Sequence, residues 1–570
     1  MNTVFMTNNT SLYKGLVFLL LLLLLVTILT ILPSLQLFIT SLSDLSMGLE
    51  SSLWRVLSKS STWKALGHSL YTSTLAMTLS LLIGGGVALL VASTDIHYKS
   101  LWAFLFMLPM MIPPQVTALS WIQLFGPSST ILKSIGMAPP LGSPNPIYSA
   151  EGIAFLLGIQ HSPLVFLALR TQLIALPRDQ IEAARLCGAS TRQIFSGVIL
   201  PLCYPAILAA AALAFVSALG NFGIAAMIGI PISYMVLPTL IYQYMANFGS
   251  NVLNNVASLS ILMAVLAYLI VYLQNKAQQA SSVYLIGGSG QPLCVQLGKY
   301  RLIAQVMLSL LLGLILVAPL IALIFSSLIP AMGVPLNWQT LTFDAYSTIF
   351  AKQSSTYTAL TNSLFLSIAA AITLIGLCIP LAYLTTRSPG RRTQLLISMI
   401  DIPFTLPGIV LAIACILLFA RPVPWLEWSL YGTLGIIFIA YLARFMAVCF
   451  KPIFTQMKQV DPAMEEAAQL AGASLFERLK DIIFPLLAPS AFAGGLLVFL
   501  TAVNELTVSA LLWSAGTETL GVVIFNLDES GNKVLASAVS VFVVFLIAII
   551  MWLLNSLSRY LPKGVIPWQN

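Results

Sequence analysis

Two stretches of the chain carry the same arrangement of residues. Residues 182–201 read EAARLCGASTRQIFSGVILP, and residues 466–485 read EAAQLAGASLFERLKDIIFP. Glu182 and Glu466, Gly188 and Gly472, and Pro201 and Pro485 all stand 284 residues apart, as do Pro205 and Pro489. The Glu-Ala-Ala triplet gives a short helix of high propensity with a slim face. The glycine beyond it permits a tight reversal or a left-handed conformation. Leu176-Pro177 and Asp461-Pro462 stop the preceding helix. Such a helix–turn–helix offers a grip to another protein rather than bond-making chemistry. Other reactive residues are sparse. Gln115, Gln160, His161, Asn221, Asp401, Asn504 and Glu505 interrupt apolar runs, and Asn221 aligns with Glu505 at the 284 spacing. His68, His97 and His161 are scattered and supply no metal-binding pair, and His161 beside Ser162-Pro163 reads as a kink residue. The six cysteines show no CxxC or metal-ligand spacing and indicate no disulfide framework. No G-x-x-x-x-G-K-[ST] occurs, and the Gly287–Gly290 run reads as linker, so ATP binding through a P-loop is not expected of this chain.

The elements that position these residues are membrane spans. Only 8% of the 570 residues are charged and 59% are hydrophobic, against about 25% charged in soluble proteins. Mean hydropathy is +0.96. A soluble enzyme, a disordered chain and a secreted disulfide scaffold are excluded. The apolar runs are too long for the strands of an outer-membrane barrel. The net charge of +8 sits in short loops rather than on one soluble face, so nucleic acid is not an expected partner. Twelve stretches are long enough to cross a bilayer: 15–42, 69–93, 101–125, 150–175, 199–229, 253–274, 302–329, 361–386, 394–420, 432–452, 485–513 and 535–557. The first is too long for a signal-peptide core and reads as an uncleaved helix. With both termini inside, 19 of the 26 Lys and Arg fall on the cytoplasmic side, as the positive-inside rule requires.

The duplication reaches upstream. Pro109 and Pro113 match Pro403 and Pro407 at a spacing of 294, and His68-Ser69-Leu70 matches Asn362-Ser363-Leu364. About ten extra residues therefore lie between Pro113 and Glu182, placed in the Gly/Pro/Ser-rich stretch from Gly126 to Ser149, outside. The fold class is an all-α polytopic membrane protein. About twelve transmembrane helices form two parallel-repeat six-helix halves: 1–274, a cytoplasmic linker 275–300, and 301–570. The paired prolines break the third span of each half and suit either hinges or static kinks.

The paired motif resembles the signature of inner-membrane permeases of binding-protein-dependent ATP-binding cassette (ABC) importers. The first copy ends in Leu200-Pro201; the second departs mildly with Phe484-Pro485. By that resemblance Glu182, Ala183, Ala184 and Gly188 form one ATPase-coupling element, and Glu466, Ala467, Ala468 and Gly472 the other. It implies a separate ATP-binding subunit in two copies, which holds ATP and Mg, and a periplasmic or lipoprotein solute-binding protein. This chain then needs no cofactor, no metal and no catalytic residue of its own. It lies in the bacterial inner membrane and passes a small molecule or ion. The stretches Gly220–Tyr242 and Asn504–Trp513 resemble ferric-iron permeases; permeases for thiamine, phosphonates, sulfate and polyamines are similar. Asn221, Asn504 and Glu505 are candidates for the translocation path, with an interhelical hydrogen bond as the alternative role. A 6+6 secondary transporter driven by an ion gradient fits the parallel halves, but gives no reason for two matched loops.

Overall fold

The computed structural model describes residues 2–557 except 177, 248, 250, 282–294, 353, 388–389 and 421–428. Pro177, the Gly287–Gly290 run and Cys294 thus lie outside the described residues. Within them the chain is helical, and extended backbone pairs at one bridge, Thr94 with Val295. The first half runs as α1 (Asn2–Leu42), α2 (Ser60–Ser93), α3 (Lys99–Met111), α4 (Pro114–Leu124), α5 (Ala150–Ile174), the short α6 (Arg178–Leu186), α7 (Leu200–Leu219), α8 (Gly223–Gly229), α9 (Leu237–Met245) and α10 (Val252–Ser281). The second runs as α11 (Tyr300–Leu312), α12 (Ala318–Ser327), α13 (Ser354–Arg387), α14 (Arg391–Thr405), α15 (Gly408–Phe419), α16 (Leu434–Met457), the short α17 (Pro462–Leu470), α18 (Phe484–Val503), α19 (Ser509–Leu512), α20 (Leu520–Glu529) and α21 (Lys533–Leu557).

Among the described residues, ten helices are long and apolar enough to cross a membrane, or 13 spans if three bent pairs each count as one. Ten of the twelve stretches read from sequence correspond to those helices. The stretches 101–125 and 394–420 are the bent pairs α3/α4 and α14/α15, turned by 94° and 106°. The turn falls at Ile112-Pro113 and Leu406-Pro407, where the residue before each proline is extended (ψ 132° and 136°). The third bent pair spans Gly223–Ile232 and Leu237–Met245 with a 76° turn. Hydropathy alone carries the fifth stretch to residue 229. The helix instead stops at Leu219, and the apolar chain beyond it re-enters as a separate short helix. Likewise the stretch 485–513 contains a helix end at Val503. Hydropathy records how greasy a segment is, not where its backbone turns.

Two compact units emerge, and they are not the repeat halves. One comprises Gly48–Tyr357 with Gly521–Ile547; the other comprises the residues up to Met47, Thr358–Leu520, and those from Ala548 on. In the first unit α2 packs along α5 and α7, and α7 packs along α10. Ser80 Oγ donates to Gly158 O at 2.9 Å, so small side chains draw α2 and α5 together. There α12, from the second repeat half, packs on α4, and Ser326 Oγ donates to Gln123 Oε1 at 3.2 Å. In the other unit α16 packs on α18, and α1 packs on α14, α15 and α16. The leading helix of each repeat half therefore packs with the other half's helices. The boundaries 1–274, 275–300 and 301–570 mark repetition in sequence, whereas the units mark packing.

Candidate functional site

The two Glu-Ala-Ala loops have the same backbone. In the first, Gly188 has φ 81°, Gly188 N donates to Arg185 O at 2.9 Å and Ala189 N donates to Ala184 O at 3.0 Å. In the second, Gly472 has φ 89°, Gly472 N donates to Gln469 O at 3.0 Å and Ala473 N donates to Ala468 O at 3.0 Å. This is a Schellman-type close, in which a left-handed glycine turns the chain and uses up carbonyls at the helix end. A Cβ on either glycine would meet nothing within 4 Å, so backbone conformation, not space, demands glycine. A second turn of helix follows at Thr191–Ile194 and Leu475–Arg478. Gln193 Oε1 accepts from Ser190 N at 2.8 Å, and Glu477 Oε2 accepts from Ser474 N at 2.7 Å. A π-helical turn, Phe195–Ile199 or Leu479–Ile483, then leads into α7 or α18.

Glu182, Ala183 and Gly188, with Glu466, Ala467 and Gly472, are exposed, and Ala184 and Ala468 are half-buried. Leu186 and Leu470, at one register, are 90% and 91% exposed. A leucine left bare at the same place in both copies suits a partner's pocket better than solvent.

The seats of the two loops differ. Ile181 and Ile194 are both buried under the first loop. At the equivalent positions under the second stand Glu465 and Arg478. Glu465 is buried. It accepts from Tyr383 Oη, from Arg387 Nε at 3.0 Å and from Arg478 Nη1 at 3.2 Å. Sequence reasoning passed over Glu465 because it abuts the motif glutamate. Its signal was the register: the residue before Glu466 falls where the first copy buries an isoleucine.

The polar residues within the spans sit at the helix breaks. Asn221 Oδ1 accepts from Ile224 N at 3.1 Å, and Glu505 Oε1 accepts from Val508 N at 2.8 Å. Each side chain thus stitches the turn that follows a span, leading to α8 or α19. Asn504 is the C-cap of α18, as Gly220 is of α7. The structure also brings Arg444 to Glu505, at 3.7 Å, a partner that sequence reasoning did not name. Arg444 aligns with Gln160 at the 284 spacing. Gln160 Nε2 donates to Ile112 O at 3.1 Å, and Arg444 Nη1 donates to Leu406 O at 3.5 Å. Both serve the carbonyl turned out of the helix at the proline break. Gln160 Oε1 also accepts from Thr117 Oγ1 at 3.0 Å. The His68/Asn362 pair holds the next loop. His68 Nδ1 lies 2.9 Å from Met235 O, and Asn362 Nδ2 donates to Gly516 O and Glu518 O at 3.1 and 3.0 Å. Of the remaining candidates, Asp401 pairs with Lys451 at 3.0 Å, and Gln115 and His161 are buried. Among the described residues no three His, Cys, Asp or Glu gather as a metal site.

The family model described as "binding-protein-dependent transport system inner membrane component" matches residues 81–281 and again 378–566. Each match encloses one Glu-Ala-Ala loop. The chain belongs to this family. It is a fused, two-half, multi-pass inner-membrane permease of the ABC importer type. The chain is 25% identical over 533 residues to the ferric transport system permease protein FbpB of Actinobacillus pleuropneumoniae, covering 91% of this chain and 75% of that protein. A putative FbpB of Haemophilus influenzae is also 25% identical, over 85% of this chain and 76% of the relative. A putative 2-aminoethylphosphonate transport system permease protein, PhnV, of Salmonella choleraesuis is 26% identical over 37% of this chain and 79% of its own length. A solved structure of the MetNI methionine ABC transporter in inward-facing conformations matches 38% of this chain and 95% of its own, at 21% identity and a TM-score of 0.29.

Proposed function

We propose that this permease passes a small solute, ferric iron first among the candidates, from a periplasmic binding protein to the cytoplasm, driven by a separate ATPase in two copies. Thiamine, a phosphonate, sulfate and a polyamine are the alternative solutes. Both termini and both Glu-Ala-Ala loops lie in the cytoplasm in this reading. ATP and Mg reside on the partner, and the chain is a transport subunit without catalysis of its own. The observation that carries the proposal is the paired loop, closed by the same left-handed glycine and offering the same exposed leucine in both copies.

The cycle follows from how each loop is seated. Closure of the ATPase pair moves α6 and α17. α17 pulls on α13 through Glu465, Tyr383 and Arg387, and α6 moves with the apolar contacts of Ile181 and Ile194. The spans then open outward to take solute, and hydrolysis resets them. Asn221, Asn504 and Glu505 lie at helix breaks, where span ends can swing, and this is their proposed place along the path.

Leu186→Cys and Leu470→Cys, each co-expressed with the ATP-binding-cassette protein of the same operon, are expected to cross-link to that ATPase in membranes. Uptake of radioactive ferric iron by vesicles holding the whole complex should require ATP. Cross-linking from neither position, or uptake by the purified chain alone, overturns the proposal in favour of a gradient-driven transporter.

A further inference from the structure

The unit that holds the first Glu-Ala-Ala loop also contains a cavity of about 290 Å³. Gln123 near the end of α4, Tyr148 before α5 and Lys533 at the start of α21 line it, with Phe125 and Met332 as apolar wall. Gln123 is 1% exposed. Its Oε1 is taken by Ser326 Oγ, while its Nε2 has no hydrogen-bond partner. A buried amide N–H left unpaired is costly, and most such groups in folded proteins are satisfied.

Lys533 adds a charge. Its Nζ donates to Tyr148 Oη at 3.3 Å and lies 5.9 Å from that ring's centroid. No carboxylate is among the lining residues. Burial holds the carboxyl of Asp528, on α20, above its usual range, while Lys533 pulls it the other way. Asn145 also faces the cavity but is spent on its wall: Nδ2 donates to Ile122 O and Phe125 O at 3.1 and 3.0 Å, and Oδ1 accepts from Ile147 N at 3.0 Å. What remains is a set of donors, one cationic, with the hydroxyls of Ser128 and Ser143, over an apolar floor. That set suits an anion with a short hydrocarbon body. It gives a bare ferric ion no hard anionic oxygen. The volume lies near the lower end of ligand pockets, at about 300 Å³.

We infer that this cavity binds a small organic oxyanion, with Lys533 and Gln123 on its charged end and Phe125 and Met332 against its carbon skeleton. The cavity adjoins the stretch Gly126–Ser149 that the charge pattern places outside. On the importer reading above, it therefore addresses an anion arriving from the periplasm, alone or as the partner of a metal ion.

The test uses the full chain in lipid nanodiscs without any ATPase, so that binding is read independently of coupling. Citrate and methylphosphonate are titrated calorimetrically, with tetramethylammonium as the cationic control. At least one oxyanion is expected to bind saturably and the cation not at all; which oxyanion binds tells carboxylate from phosphonate. Lys533→Gln should weaken binding about tenfold or more, as expected on losing a charged hydrogen bond. Gln123→Leu, which keeps the volume, should weaken it severalfold, and Lys533→Arg should retain it. Failure of both oxyanions to bind, or unchanged binding in both the Gln and Leu variants, overturns the inference. Neither result touches the cross-linking of the Glu-Ala-Ala loops, so failure of the cavity and failure of the importer reading are told apart.

Discussion

The two units solve the same structural problems with different chemistry. At two matched positions under the loops the first copy buries Ile181 and Ile194, whereas the second pairs Glu465 with Arg387 and Arg478. At the proline break the first unit uses neutral Gln160, with neutral Asn221 at the following span end. The second uses Arg444 and Glu505 at the same positions, and the two pair with each other. The backbone does not differ: the glycines, the extended residues before proline and the capped turns recur. The requirement carried by both copies is therefore a backbone one, namely a donor for each exposed carbonyl and an acceptor for each exposed N–H. At these paired positions, charge is an addition of the second copy. A buried ion pair adds little net stability over an apolar contact, yet it is costly to break from one side. The second loop should thus tolerate single changes less well than the first.

The largest effect is expected at that ionic seat. Glu465→Leu leaves Arg387 and Arg478 without their anion and should cost about 3–5 kcal/mol, read as a lower unfolding temperature of the purified protein. Converting the seat to that of the first unit, with Glu465→Ile, Arg478→Ile and Arg387→Ser together, should recover most of the loss. If the single variant unfolds with the wild type, the ionic and apolar seats are equivalent and the contrast is void.

A smaller effect, equal in both copies, is expected at the glycines. At Gly188 and Gly472 an added Cβ meets nothing, so the main cost of Gly188→Val or Gly472→Val is the left-handed backbone, about 1–2 kcal/mol. Each variant should insert normally while ATP hydrolysis per solute taken up rises. Unequal uncoupling by the two would sharpen the contrast, placing more of the drive on one seat.

The smallest concerns an ion pair in the first unit. Asp95 accepts from Leu297 N at 2.9 Å and pairs with Arg301, whose Nη1 also lies 3.0 Å from His97 Nε2. The Leu297 amide, and then Arg301, hold the Asp95 carboxyl below its ordinary range. Its stabilisation is therefore complete above the unfolded carboxylate value of about 3.9 and is lost as pH falls through the lowered one. Hydrogen exchange at the Leu297 amide should stay slow through neutral pH and quicken, beyond the intrinsic pH trend, only in strong acid. Asp95→Asn should abolish that extra step. Opening near neutral pH would overturn the assignment to Asp95.

Sequence was sufficient for whatever depends on composition and local backbone preference. It showed the membrane class, the twelve apolar stretches, the duplication and the left-handed glycines, because hydropathy and φ preference belong to the residues themselves. It also singled out Asn221 and Glu505, since a polar group in an apolar run is conspicuous wherever it packs. Arg444 and Glu465 escaped notice because their meaning lies in partners 61 and 78 residues away, Glu505 and Arg387. The exchange of leading helices, the 94° and 106° turns inside two apolar runs and the donor-lined cavity around Gln123 and Lys533 were likewise decided only in three dimensions. Burial and pairing are properties of neighbours, and in a chain where nearly every helix is greasy all round, hydrophobic pattern cannot say which helix lies against which.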